Sequence, residues 1–154
     1  FIKSMSSFSG LPHRYEIFLK KKNITFINDS KATSFQATKF ALASSKNIYW
    51  ILGGLPKKND KIILKEIKEN ITKAYIIGIN ISFFKKQIKN KINFYTSKNL
   101  KNSVIKIMKD IKLSNKTSTI LLSPAAASYD QFLNFEKRGE EFKKLSKLYA
   151  RKYI

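Results

Sequence analysis

Three short stretches of this chain collect the side chains that could do chemistry. They are residues 28–33 (Asn-Asp-Ser-Lys-Ala-Thr), 53–57 (Gly-Gly-Leu-Pro-Lys) and 123–130 (Ser-Pro-Ala-Ala-Ala-Ser-Tyr-Asp). Each follows a short apolar run that reads as a buried strand, so each reads as a loop leaving a strand end. In open α/β sheets the ligand crevice lies there. Two of the loops run on into helix starts, whose free N–H groups and partial positive charge favour carboxylates and phosphates. The glycines let backbone approach a ligand closely, and Lys57 adds a full positive charge. Together the loops suit a small dianion or an acidic amino acid.

Each residue also has a plainer reading. Thr33 with Gln36 fits a capping box, and so does Ser128 with Gln131. Lys57 sits among other lysines and reads equally as a solvated charge. Asp29 could close an Asx-turn. Phe135 on a helix face is commonly core. A lone His13-Arg14 pair is usually surface decoration, because His serves catalysis only when it is placed. Glu16 could face solvent from an alternating strand.

Other chemistries lack their signatures. There is no Gly-x-Gly-x-x-Gly dinucleotide fingerprint and no Gly-x-x-x-x-Gly-Lys-Ser/Thr phosphate loop. A single His and no Cys make a zinc site improbable. No Ser-His-Asp set can be nominated.

The elements that must position these loops follow from periodicity. Residues 15–19 and 24–28 read as two strands joined by a polar turn. Residues 34–44 read as a helix with Phe35, Thr38, Ala41 and Leu42 on one face. Strand 48–52 ends at Gly53-Gly54. Asp60 is placed to cap a helix over 61–70 with Ile62, Ile63, Leu64 and Ile67 as its apolar set. Strands at 74–77, 92–95 and 120–122 alternate with helices at 81–88 and 100–111. In the second of these helices Val104, Ile107, Met108 and Ile111 point inward. A long helix runs from 130 to the end, with Phe132, Phe135, Phe142, Leu145 and Leu148 on one side. After the opening β-hairpin, strand–helix alternation means βαβ units. The expected fold class is α/β, a Rossmann-like open, mostly parallel sheet flanked by helices.

The chain has 154 residues, of which 43% are hydrophobic, which suits one core. No apolar run reaches the ~18 residues of a membrane span. Cysteine is absent, which fits a cytoplasmic protein. Residues 1–10 lack the apolar centre of a secretory leader and read as a linker or the end of a preceding domain, with 11–154 as the domain proper. The first residue is not Met, so the expectation is a piece of a longer protein. The net charge of +21 raises a nucleic-acid role. However, the basic residues are nearly all Lys, with Arg only at Arg14, Arg138 and Arg151, and they are spread along the chain. Lys, Asn and Ile are overused together, as a genome-wide bias on solvated faces would produce. Arg is the residue expected at base-reading contacts. Nucleic acid is therefore not expected as a partner, and a basic nucleic-acid-binding module stands only as an alternative.

The motifs recur in a definite order. Leu11-Pro12-His13-Arg14 with Glu16 comes first, then Asn28-Asp29-Ser30-Lys31-Ala32-Thr33. Leu52-Gly53-Gly54 follows, with Lys57 and Asp60. Next come Ser123-Pro124-Ala125-Ala126-Ala127-Ser128 and Asp130-Gln131-Phe132. Asn134-Phe135-Glu136, Arg138-Gly139 and Phe142 close the series. This series resembles the C-terminal, amino-acid-binding domain of the D-glutamate-adding Mur ligases of peptidoglycan synthesis, from about Leu11 almost to the end. Mur ligases adding other amino acids carry an Asp-Tyr-Ala-His type loop in place of residues 28–33, or an Asp-Asn-Pro-Arg motif that is absent here. Folylpolyglutamate synthetases share the architecture but not the Ser-Pro-Ala-Ala-Ala-Ser run. A related ligase domain taking another amino acid is the nearer alternative.

The resemblance implies an ATP-dependent, amide-forming ligase. ATP would phosphorylate the terminal carboxylate of UDP-N-acetylmuramoyl-L-alanine, the amine of D-glutamate would attack the acyl phosphate, and magnesium would offset the phosphate charge. It implies D-glutamate contacts from Thr33, Lys57, Ser128 and Phe135. It implies nucleotide contacts from Arg14 and Asp29, and an interface shaped by His13 and Lys31. ATP and Mg2+ would be bound mainly by a central domain, and UDP-N-acetylmuramoyl-L-alanine by domains outside this chain. No catalytic or metal-binding residue is expected on this chain, which alone should not form product. Ala126 and Ala127 replace other small residues common in the family, with no expected functional cost.

Overall fold

The computed structural model describes residues 11–154. The linker reading of residues 1–10 lies outside the described residues. Six strands form one open sheet in the order β1-β2-β6-β3-β4-β5. They are β1 (Glu16–Lys21), β2 (Ile24–Asn28), β3 (Ile48–Leu52), β4 (Ile71–Ile77), β5 (Phe94–Lys98) and β6 (Ser118–Leu122). Within that sheet only the β1–β2 pairing is antiparallel. The hairpin turns at Lys22, which takes the left-handed region at φ 53°. Among the described residues four helices flank the sheet: α1 (Phe35–Ala43), α2 (Ile81–Ile88), α3 (Leu100–Ile111) and α4 (Phe135–Tyr153).

Both faces of the sheet are covered, so its inner strands read as continuous apolar runs rather than alternating ones. Alternate residues go to opposite layers. Ile27, Trp50, Leu52, Ile76 and Leu121 pack with α1 and α2 through Phe35, Leu42, Phe84 and Ile88. Phe26, Tyr49, Ile51, Tyr75, Ile120 and Leu122 pack with α3 and α4 through Val104, Ile107, Met108, Phe142 and Leu145. Each large apolar side chain so buried contributes about 1.5–3 kcal/mol. Trp50 is fully buried, and its Nε1–H donates to the Ser123 carbonyl at 2.7 Å. That bond satisfies a core indole and anchors the loop after β6 at the same time.

The position of β6 matters most for function. The last strand inserts between β2 and β3, with Leu121 opposite both Ile27 and Trp50. The C-terminal ends of β2, β6 and β3 therefore lie side by side at Asn28, Leu122 and Leu52. The three polar loops all leave from that one edge.

Three sequence expectations need correcting. Residues 61–70 are not a helix: only Lys68–Asn70 form a 3-10 turn. Asp60 caps a different helix, since its Oδ2 accepts the Phe35 N–H of α1 at 2.9 Å. The Ile62 N–H is taken by Gln87 of α2, and Leu64 and Ile67 alone of the supposed stripe are buried, while Ile63 is 75% exposed. The last helix begins at Phe135 rather than 130, because Asn134 caps it by accepting the Lys137 N–H. Leu148 on that helix faces solvent. Strands β4, β5 and β6 also extend beyond the predicted segments, to Ile71, Lys98 and Ser118.

Candidate functional site

The loop between β2 and α1 is held by side chains rather than by regular structure. Asn28 is fully buried. Its Oδ1 accepts the Ser30 N–H at 3.1 Å, so the Asx-turn belongs to Asn28 and not to Asp29. Its Nδ2 reaches Glu16 Oε1 at 3.0 Å and His13 Nδ1 at 2.9 Å. Asp29 braces the start of β1 against the end of β6. It accepts the Tyr15 N–H at 3.0 Å and the Ser123 hydroxyl at 2.7 Å. Burial pushes its carboxyl above the ordinary value, and those two hydrogen bonds and the charge of Arg14 only partly oppose this.

His13 and Glu16 are not surface decoration. His13 is buried with its ring edge-on to Phe135, centroids 5.9 Å apart. Glu16 accepts the His13 N–H and pairs with Lys143 of α4 at 2.8 Å. Burial would raise the Glu16 pKa, but the Lys143 hydrogen bond and charge and the His13 N–H outweigh it and hold the carboxyl below its ordinary value. Arg14 is exposed beside this group.

The loop after β3 depends on its glycines. Gly53 and Gly54 have φ of 130° and 139°, which L side chains rarely adopt. A Cβ on Gly53 would lie 2.0 Å from the Ile77 carbonyl oxygen, and one on Gly54 would lie 2.3 Å from that of Ala127. The close approach is thus to neighbouring backbone, not directly to a ligand. It lets Leu55 and Ala127 exchange two 2.9 Å backbone hydrogen bonds that zip the second loop to the third.

The third loop is fixed by Arg138, a residue to which the sequence reading gave no role. Its guanidinium is 1% exposed on the inner face of α4. Nε donates to Ser30 Oγ at 2.9 Å, Nη2 to the Ser30 carbonyl at 2.6 Å, and Nη1 to the Ala126 carbonyl at 2.9 Å. Burial lowers its pKa to about 10, opposed by the charge of Asp130, so it stays cationic at neutral pH. The signal for it was present: Arg138, Phe142 and Leu145 share one face at i, i+4, i+7.

Neither supposed capping box forms. Ser34, not Thr33, caps α1, and Asn134 rather than Ser128 caps α4. Thr33 and Ser128 instead line a cavity of about 240 Å³ together with Leu55, Lys57, Ala127, Tyr129 and Phe135. Thr33, Lys57 and Ser128 from the three loops, and Phe135 from the first turn of α4, thus converge onto one space. Among the described residues the side chains of Thr33, Lys57 and Ser128 make no hydrogen bond or ion pair. Two hydroxyls and an ammonium are therefore available to meet oxygen atoms of a ligand. Phe135 separates this space from His13 and Lys31, and the Lys31 Nζ lies 5.6 Å from its ring centroid. Among the described residues no three His, Asp or Glu side chains converge as a metal site would require.

No protein-family model matches the chain. Curated relatives do. The UDP-N-acetylmuramoylalanine–D-glutamate ligase of Wolbachia sp. subsp. Brugia malayi (strain TRS) is 43% identical over 141 residues, 92% of this chain and 28% of that ligase. The ligase of the same name from Rickettsia felis is 42% identical over 147 residues, 95% of this chain and 33% of the relative. That from Nitrobacter hamburgensis is 40% identical over 144 residues, 93% of this chain and 31% of the relative. The chain therefore spans about a third or less of the length of the curated relatives it matches. Over nearly its whole length it belongs to the UDP-N-acetylmuramoylalanine–D-glutamate ligase family, as a homologue of the C-terminal part.

Proposed function

We propose that the cavity between the three loops binds D-glutamate, and that the chain serves as the amino-acid-binding domain of an ATP-dependent ligase of peptidoglycan synthesis. The observation that carries this reading is the convergence of Thr33, Lys57 and Ser128, with no side-chain partners of their own among the described residues, on one small cavity walled by Phe135. An amino acid with two carboxylates needs that donor set. Lys57 would pair with one carboxylate, and the Thr33 and Ser128 hydroxyls would orient both. Binding would leave the amine to face the partner substrate. The ring of Phe135 would exclude water on one side, which strengthens each charge-assisted contact.

In the assembled enzyme the amine would attack an acyl phosphate made from UDP-N-acetylmuramoyl-L-alanine and ATP, giving amide and phosphate. Magnesium would offset the phosphate charge. By the family resemblance, it and the triphosphate would be bound mainly by a central domain. Arg14, exposed beside the buried Asn28–Glu16 group, is the residue here suited to reach a nucleotide phosphate or ribose. Asp29 would reach ribose hydroxyls only through lone pairs left over from Tyr15 and Ser123. Such a chain would act in the cytoplasm, where the nucleotide substrates are made.

The test is ligase activity of the full-length parent with a panel of amino acids. D-glutamate should be preferred, and Lys57→Ala should raise its KM by about a hundredfold. A normal KM in that variant, or preference for another amino acid, would overturn the assignment.

A further inference from the structure

A second site lies away from the three loops, in the groove between β5 and α3. Three departures from regular structure coincide there. Strand β5 is a sheet edge, and its register slips between Ile76/Thr96 and Ile77/Lys98, so Ser97 has no partner on β4. Lys98 takes the left-handed region at φ 67°. Ser97 is 2% exposed, and its hydroxyl has no hydrogen-bond partner among the described residues. A buried, unsatisfied hydroxyl is costly, and a strained bulge beside it re-aims side chains. Such coincidences gather at binding sites.

These residues line one cavity of about 310 Å³. The strand contributes Tyr95, Thr96, Ser97 and Lys98, and α3 contributes Asn102, Ile105, Lys106 and Lys109 from one helical stripe. No acidic residue lines it. Lys106 is engaged with Asp110 at 3.0 Å and lies over the Tyr95 ring at 5.3 Å. Among the described residues Lys98 and Lys109 make no ion pair. The Thr96 hydroxyl and the Asn102 side-chain amide make no hydrogen bond among those residues either. The groove therefore offers two free ammonium groups, an amide and the Thr96 hydroxyl against walls of Tyr95 and Ile105, with the unpartnered Ser97 hydroxyl buried in its lining. Its volume is in the range of small-molecule sites.

We propose that the groove between β5 and α3 is a binding site for a phosphate-bearing anion, held by Lys98 and Lys109 with Thr96, Ser97 and Asn102. It is independent of the D-glutamate reading and shares no residue with that cavity. Lysine on an edge strand also deters edge-to-edge pairing, but that role needs neither Ser97 nor the matching stripe on α3.

The full chain should be titrated with inorganic phosphate, pyrophosphate and phenyl phosphate while backbone amide resonances are followed by NMR. Shifts should concentrate at residues 95–98 and 102–109. Lys98→Ala/Lys109→Ala should weaken binding about tenfold, while Lys65→Ala/Lys68→Ala, which removes two exposed lysines elsewhere, should not change it. Ser97→Ala should also weaken binding while leaving the fold intact. Tighter binding of phenyl phosphate than of inorganic phosphate would assign an organic phosphate ester that uses Tyr95 and Ile105. Tighter binding of pyrophosphate would assign the charge-dense group alone. Equal loss in the two lysine pairs, or shifts scattered over every lysine-rich surface, would overturn the site in favour of general attraction to a +21 chain.

Discussion

Arg138 grips Ser30 at two points, with Nε 2.9 Å from the hydroxyl oxygen and Nη2 2.6 Å from the carbonyl oxygen. The same hydroxyl donates to the Phe135 carbonyl at 2.7 Å. The third arm holds Ala126, two residues before Ser128. One buried guanidinium thereby fixes the spacing of the first loop, the third loop and the start of α4. Arg138→Ala is expected to destabilise the chain by about 3 kcal/mol, because it leaves a void and several unpaired acceptors. Arg138→Lys should recover little of this, since one ammonium cannot span three acceptors in a plane. Urea unfolding measures both, and equal stability of wild type and Arg138→Ala would remove the tie.

Gly139 carries the next consequence. A Cβ there would lie 2.1 Å from His13 Nδ1 and 2.9 Å from Asn28 Nδ2. Alanine usually favours a helix over glycine by about 1 kcal/mol. Here Gly139→Ala should instead cost about 1–3 kcal/mol and displace the His13 ring, because overpacking in a closed site outweighs propensity. Thermal unfolding gives the sign, and the His13 ring resonances report the displacement.

The α/β class was legible in the sequence because the inner strands are apolar runs and the helices carry clean stripes. Phe35, Thr38, Ala41 and Leu42 on α1 are buried as the spacing requires. Thr33, Lys57 and Ser128 were visible as polar residues in loops that leave strand ends, and the sheet order brings those ends together; Phe135, on the first turn of α4, was singled out only through the family resemblance. What failed was local competition. Asp60 was drawn to the Phe35 N–H of another element, while Ser34 and Asn134 took the capping positions expected of Thr33 and Ser128 and left those two hydroxyls unpartnered among the described residues. Arg138 and Asn28 were obscured because a polar residue buried by its own network looks, in sequence, like a polar residue on the surface.

The segment between β3 and β4 makes that failure measurable. Its apolar residues are not a helical stripe, since Ile63 is 75% exposed and Ile67 is 3% exposed. Ile63→Ala should change stability by less than about 0.5 kcal/mol. Ile67→Ala should cost about 2–5 kcal/mol. Similar losses at both positions would restore the helix over 61–70.

Asp29 and Asp110 should give the chain opposing responses to acid. Burial raises the Asp29 carboxyl above its unfolded value, so the folded state holds the extra proton in the window between the two. Stability linked to Asp29 therefore rises as pH falls through that window. Asp110 behaves in the other sense. Burial would raise it, but the Tyr75 hydroxyl at 2.6 Å and the ammonium groups of Lys106 and Lys73, each at 3.0 Å, hold it below its ordinary value. Its contribution is present above the unfolded pKa and is lost as pH falls through the lower, folded one. Asp110→Asn should therefore flatten the acid side of the stability profile. Asp29→Asn should steepen it, because it removes the one carboxylate of the pair that gains from protonation. The amide oxygen that this substitution introduces could still accept the Tyr15 N–H, which keeps the brace to the start of β1 in place. Urea unfolding between neutral pH and the acid limb compares the three proteins, and a parallel shift of all three profiles would refute the opposition.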